Sequence, residues 1–259
     1  MHPEVSVRRF LHPVNIGLVE GMRCRARDQS LWEVMDWAAG ECGLSVDTTR
    51  GAFLPTGPQL VVGNDPGPMA GFVYLSSVRR EDHFFIGTPG WTHMGGIVAE
   101  RNLPVFTGGS FRRRPLEALR AQLLFRWRDG VPPKAAPHRT RRSLQRAAEL
   151  VSQGHSSLIL PPSGTMGRTD RWKHGVGFLV NLIDNPDAQI VMAHARGIRV
   201  RDVARMLNPY WFRIGRRHAR VTLEISEPIA VSEFQASRRS SVETSLLIKQ
   251  RYLDTFGAL

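Results

Sequence analysis

Two short loops concentrate the residues that could do chemistry. From Leu60 to Leu75 the chain reads LVVGNDPGPMAGFVYL: an apolar run delivers Asn64 and Asp65 onto a turn built from Pro66, Gly67 and Pro68. Pro66 and Pro68 end the strand, and the residues after them can start a helix. From Ser157 to Thr165 the design repeats as SLILPPSGT, an apolar run, a proline pair, then Ser163, Gly164 and Thr165. Strand ends feeding polar loops are where α/β proteins commonly place reactive groups. Asp65 is the ionisable residue of the first loop. An aspartate with its ordinary pKa of about 3.9 is a poor base toward an alcohol, and burial is what would raise it into a useful range. Asn64 and Asp65 also have a plain reading as caps of the following helix, since both residue types are favoured there.

The remaining candidates are histidines and arginines. A neutral imidazole has a pKa near working pH, so His93, in a Gly-rich stretch, His174, before an apolar helix, and His194, at the end of an apolar strand, are the histidines that could assist as a base. His194 reads equally as a satisfied core residue. Their spacing matches no metal-ligand pattern, so no zinc is expected. Ser163 lies in Pro-Ser-Gly rather than Gly-x-Ser-x-Gly, which points to a turn donor and not a nucleophile elbow. Arg112, Arg113 and Arg114, the run from Arg139 to Arg142, and Arg168 after the second loop supply guanidinium groups suited to bidentate phosphate contacts.

Elements must bring these groups together. Apolar runs at Leu44–Arg50, Ala52–Leu54, Val61–Val62, Asp82–Gly87, Val105–Phe106, Leu158–Leu160 and Ile190–His194 read as strands. Helical patterns fall at Asp28–Cys42, from Met69 to about Val78, and at Pro115–Arg128, Ser143–Gln153, Gly175–Ile183, Val203–Met206 and Val242–Phe256. Trp91 to Gly96 reads as a flexible loop, and the prolines between Val131 and Pro137 as a break. Before Arg27 an extended lead or short helices are expected. In Asp28–Cys42, Glu33 stands three residues after Ser30, a capping-box spacing, and Leu31, Val34, Met35 and Ala38 share a face. That helix reads either as core packing or as an interfacial cover. The alternation predicts an α/β sandwich, a largely parallel or mixed sheet flanked by helices. Residues 1–45 form a lead and helix packed on the body, and residues 46–259 the α/β domain.

Length and composition agree with that. A chain of 259 residues, 42% hydrophobic and 22% charged, can bury a substantial core. Two cysteines, Cys24 and Cys42, make no disulfide framework, which fits a reducing compartment. The net charge of +12 implies an acidic counterpart: a phosphorylated cofactor, an acidic carrier protein or an anionic membrane face. The arginine clusters lack the motifs of nucleic-acid readers, so nucleic acid is not expected. No run approaches the roughly 20 apolar residues of a membrane span, and the N-terminus has no signal-peptide pattern. The expected location is the cytoplasm, with peripheral contact to an anionic membrane as a further option.

The loops and their order resemble the glycerolipid acyltransferases of the lysophosphatidic acid acyltransferase type. Where that family's first motif reads Asn-His-x-x-x-x-Asp, this chain has Asn64-Asp65-Pro66-Gly67-Pro68-Met69-Ala70. Where its third reads Phe-Pro-Glu-Gly-Thr-Arg-Ser, this chain has Pro161-Pro162-Ser163-Gly164-Thr165-Met166-Gly167. Asn102 to Phe106 resembles the second-motif segment, with Thr107 where an arginine is expected. Lys173-His174-Gly175, Gln189 to Ala193 and Val221 to Ile229 are similar to later family segments. The resemblance implies a glycerolipid-acyltransferase-like sandwich in which Asp65 and Ser163–Thr165 face one cleft. It implies an acyl thioester substrate on coenzyme A or acyl carrier protein and no other cofactor. Asp65 stands at the family's histidine and Ala70 at its aspartate, so the acid-base residues are altered. Three functions follow: acyl transfer with Asp65 and an imported histidine; a fold repurposed for a non-acylating cyclisation, elimination or isomerisation of a thioester-bound or apolar substrate; and a non-catalytic binder of lipid or carrier protein.

Overall fold

The computed structural model describes residues 16–64, 69–105, 135–159, 172, 174–198, 219–235 and 239–257. Along the chain these form α1 (Ile16–Arg25), α2 (Leu31–Glu41), β1 (Leu44–Arg50), β2 (Gln59–Gly63), α3 (Ala70–Ser77), β3 (His83–Gly87), a 3-10 helix (Pro89–Met94), α4 (Gly96–Arg101), β4 (Asn102–Pro104), α5 (Ala136–Ser152), β5 (Ser156–Ile159), α6 (Gly175–Val180), β6 (Gln189–Arg196), β7 (Ala219–Ile225), β8 (Ile229–Ala230), α7 (Ser232–Gln235) and α8 (Ser241–Phe256).

The strands make one sheet in the order β1-β7-β6-β2-β5-β3-β4, with β8 pairing β6. Strands β6, β2, β5, β3 and β4 run parallel; β7 is antiparallel to β6 and carries β1 parallel to itself. This is the expected mixed, mostly parallel sheet flanked by helices, and its centre is apolar on both faces because helices cover both. Val61, Leu158, Val191, Ala193 and Leu223 meet α1 to α4 on one side. Leu60, Val62, Ile159, Ile190 and Met192 meet α5, α6 and α8 on the other.

Local chemistry explains most element ends. The Ser30 N–H donates to the Glu33 carboxylate at 2.9 Å, the capping box that the Ser30/Glu33 spacing predicts. Leu31, Val34, Met35 and Ala38 are buried, so α2 is a core helix and not an interfacial cover. Several expected boundaries change. No strand forms at Ala52–Leu54, because Gly51 turns the chain at φ 70° where a Cβ would lie 2.2 Å from the Ile225 carbonyl oxygen. Trp91 to Gly96 is not a flexible loop: Pro89 opens the 3-10 helix, and Trp91 packs edge-on against both Phe72 and Phe85. Strand β4 comes three residues before the expected Val105–Phe106. Helix α5 starts seven residues before Ser143, since Pro137 lies in its first turn, where a backbone N–H has no intrahelical partner to lose. The helices expected at Pro115–Arg128 and Val203–Met206 lie outside the described residues.

Candidate functional site

Because β2, β3, β4, β5 and β6 are parallel, their C-terminal ends share one edge of the sheet. The segment carrying Asp65 leaves β2 there, and the segment carrying Ser163, Gly164, Thr165 and Arg168 leaves β5, its direct neighbour. The segment carrying Arg112, Arg113 and Arg114 follows β4. These eight residues themselves lie outside the described set. His93 belongs by its backbone to the 3-10 helix after β3. His174 is exposed and immediately precedes α6. His194, in β6, comes to the edge next to the end of β2.

Asn64 does not cap a helix. Strand β2 stops pairing with β6 at Gly63, opposite Ala193, while β6 continues to Arg196. The Asn64 carboxamide fills the place of the missing strand. Its Nδ2 donates to the Ala195 carbonyl at 2.9 Å, and the Ala195 N–H donates to its Oδ1 at 2.8 Å. The Tyr74 hydroxyl, from α3, donates to the same Oδ1. A backbone that would be left unpaired inside the protein is thereby satisfied. Residue 64, the last before the reactive loop, is anchored at 8% exposure.

The other face of this edge holds His194, 7% exposed. Its Nδ1 is 2.7 Å from the Tyr252 hydroxyl, and its ring stacks on Phe256 at a centroid distance of 5.4 Å. Tyr252 also reaches the Ala193 carbonyl at 3.1 Å and the Asn64 backbone amide. Burial holds the phenol far above its ordinary pKa, so it keeps its one proton. The carbonyl can only accept. The Tyr74 hydroxyl lies 3.2 Å from the same carbonyl, so the one proton of Tyr252 has two acceptors within reach, Ala193 O and His194 Nδ1, and its choice sets the imidazole tautomer. With Tyr252 donating to Ala193, the imidazole proton sits on Nδ1 and the lone pair on Nε2. Burial first, and the Arg196 guanidinium second, hold the imidazole below its usual pKa against the opposing pull of Glu224. It is therefore neutral at pH 7.

This arrangement can take up a proton at the sheet edge, one strand from the Asn64–Asp65 loop. Tyr74 and Tyr252 are the partners that sequence reasoning missed. Tyr74 stood within the stretch singled out; Tyr252 had no signal beyond its place on the apolar stripe Ile248, Tyr252, Phe256 of α8. Among the described residues no cluster of His, Cys, Asp and Glu could hold a metal ion.

No family model matches the chain, and no curated protein matches it. Among solved structures it is similar to the 1-acyl-sn-glycerophosphate (LPA) acyltransferase PlsC of Thermotoga maritima, at 14% identity and a TM-score of 0.42, over 99% of this chain and 93% of that one. A likeness that loose says nothing of activity, which has to be argued from the side chains.

Proposed function

We propose that the chain is an acyltransferase-like enzyme that uses an acyl thioester, carried on coenzyme A or an acyl carrier protein, with His194 as the base and Asp65 as a second ionisable group. The observation that carries this is His194 at the C-terminal edge, kept neutral by burial and bound through Nδ1 to the Tyr252 hydroxyl. The ordered motif resemblance supplies the reaction class. In the step proposed, Nε2 takes the proton of an acceptor hydroxyl or amine as its heteroatom attacks the thioester carbonyl. The tetrahedral oxyanion collapses, the C–S bond breaks, and the leaving thiolate receives that proton from the imidazolium. Asn64 holds the chain rigidly up to Asp65, whose carboxylate would favour the transient imidazolium. No described helix is long and apolar enough to cross a membrane, and the free thiols Cys24 and Cys42 fit work in a reducing cytoplasm.

The test is to incubate the protein with acyl-thioester pools and candidate acceptors, following thiol release and product mass together. A positioned general base contributes roughly 10²- to 10⁴-fold, so His194→Gln should lose at least about a hundredfold in rate. Tyr252→Phe should lose less, and Asp65→Asn should also slow release. Because the imidazole is held below 6.5, the acid limb of the pH–rate profile should lie under that value. Turnover indifferent to His194→Gln would remove the proposed base. Substrate conversion without change of mass would put the repurposed, non-acylating reaction ahead, and binding without turnover the non-catalytic one.

A further inference from the structure

Helix α5 places its charge against the usual preference. Anionic side chains stabilise a helix N-terminus and cationic ones oppose its dipole, yet the first turn of α5 has no acidic residue and no side-chain cap. His138, Arg139, Arg141 and Arg142 follow in its first two turns, all exposed. Arg139, Arg142 and Arg146 fall at i, i+3 and i+7, one stripe running roughly 10 Å along the helix. Arg146 pairs with Glu149 at 3.0 Å, and Arg141 lies over the Phe178 ring. Neither Arg139 nor Arg142 pairs with a carboxylate among the described residues. Fold stability gives no reason for these two guanidinium groups.

Their place in the fold does. Ser143 donates to the Pro104 carbonyl at 2.6 Å, which sets the first turns of α5 beside the C-terminal end of β4. A Cβ built on Gly175, the first residue of α6, would lie 3.5 Å from the Leu144 side chain. The arginine stripe thus borders the same edge of the sheet, in the same helical layer, as His194 and Tyr252.

We propose that the Arg139–Arg142 face of α5 docks a small acidic carrier protein that delivers the acyl thioester to this edge. The proposal rests on the thioester reading above and names its partner. Charge complementarity selects an acidic partner for a chain of net charge +12. The apolar stripe of α5, Leu144, Ala147, Ala148, Leu150 and Val151, is spent in the core. The exposed face is left polar and basic, with nothing to seat in a bilayer. Among the described residues the exposed large apolar side chains, Leu182, Val242, Leu246 and Leu247, lie after α6 and on α8, not on α5.

The test compares wild type with Arg139→Glu/Arg142→Glu and the milder Arg139→Gln/Arg142→Gln, each checked by circular dichroism and thermal melting. Binding is measured directly with apo acyl carrier protein in 50 and 300 mM NaCl, independently of turnover. Wild type should bind and weaken with salt, and the charge reversal should weaken binding at least about tenfold with the neutral variant between. Thiol release from acyl carrier protein should fall alike, while release from acyl-pantetheine, which lacks the carrier, should not change. If no thioester turns over but carrier binding follows this pattern, the docking face stands and the catalytic reading fails. Carrier binding unaffected by reversal overturns the proposal. So does an equal loss with acyl-coenzyme A, which would assign the arginines to nucleotide phosphates. Binding to vesicles containing phosphatidylglycerol that depends on these arginines, with none to the carrier, would assign the face to a membrane.

Discussion

Asn64 and His83 show how differently two buried polar residues are treated. Asn64 spends its carboxamide on both backbone groups of Ala195 and on Tyr74, so it holds the start of the reactive loop instead of reacting. His83, at the opposite end of the sheet, is fully buried; its Nδ1 meets Ser156 Oγ at 2.7 Å while Nε2 has no partner among the described residues. Burial, aided by Arg80, pushes its pKa down to about 3 from 6.5. Above pH 6.5 both folded and unfolded chains carry it neutral. Below that the unfolded chain takes up a proton that the folded one refuses, so stability falls as pH falls, by about 1.4 kcal/mol per pH unit for this one group. Urea unfolding between pH 7.5 and 4.5 should show a shallower acid loss in His83→Gln, by close to one proton. Parallel curves would mean that His83 is protonated in the folded state or reached by water.

At the scale of elements, the helical layer over the site depends on a close approach of α6 to α8. The Gly177 N–H donates to Ser245 Oγ at 2.9 Å, and a Cβ at residue 177 would lie 2.1 Å from the Ser241 carbonyl oxygen. Gly→Ala inside a helix normally gains up to about 1 kcal/mol in propensity. Here a backbone atom blocks the methyl, and overpacking typically costs about 1–3 kcal/mol. Gly177→Ala should therefore lower stability, and since α8 carries Tyr252 it should also slow thiol release; equal or higher stability in chemical denaturation would refute the packing argument. Periodicity made most of these elements legible, with β2, β3, β5, β6 and α8 near their expected places. It failed where a contact overrode pattern. Trp91 wedged against Phe72 and Phe85 orders a Gly-rich stretch, and Pro137 starts α5 instead of preventing it.

For the molecule as a whole, 35 basic against 23 acidic residues leave a self-repelling charge. Of the described ion pairs, Arg146–Glu149 and Arg220–Asp47 lie at the surface, where such pairs contribute little, and Arg80–Asp82 is partly buried and less screened. Screening should therefore stabilise the fold: the melting temperature should be higher in 0.5 M than in 0.02 M NaCl, and a fall would show that local pairs outweigh the net repulsion. The sequence by itself determined the α/β class, the apolar strands and the loops that follow β2 and β5, because alternating burial and proline-glycine turns are written in neighbouring residues. It offered Asn64 as a cap and left His194 open between core and base. Tertiary structure decided both. Asn64 finds Ala195 at a separation of 131 residues, and His194 finds Tyr252 at a separation of 58. Such partners are set by strand register and helix packing, which no local pattern encodes. The lowered pKa of His194 follows from the burial that this meeting brings.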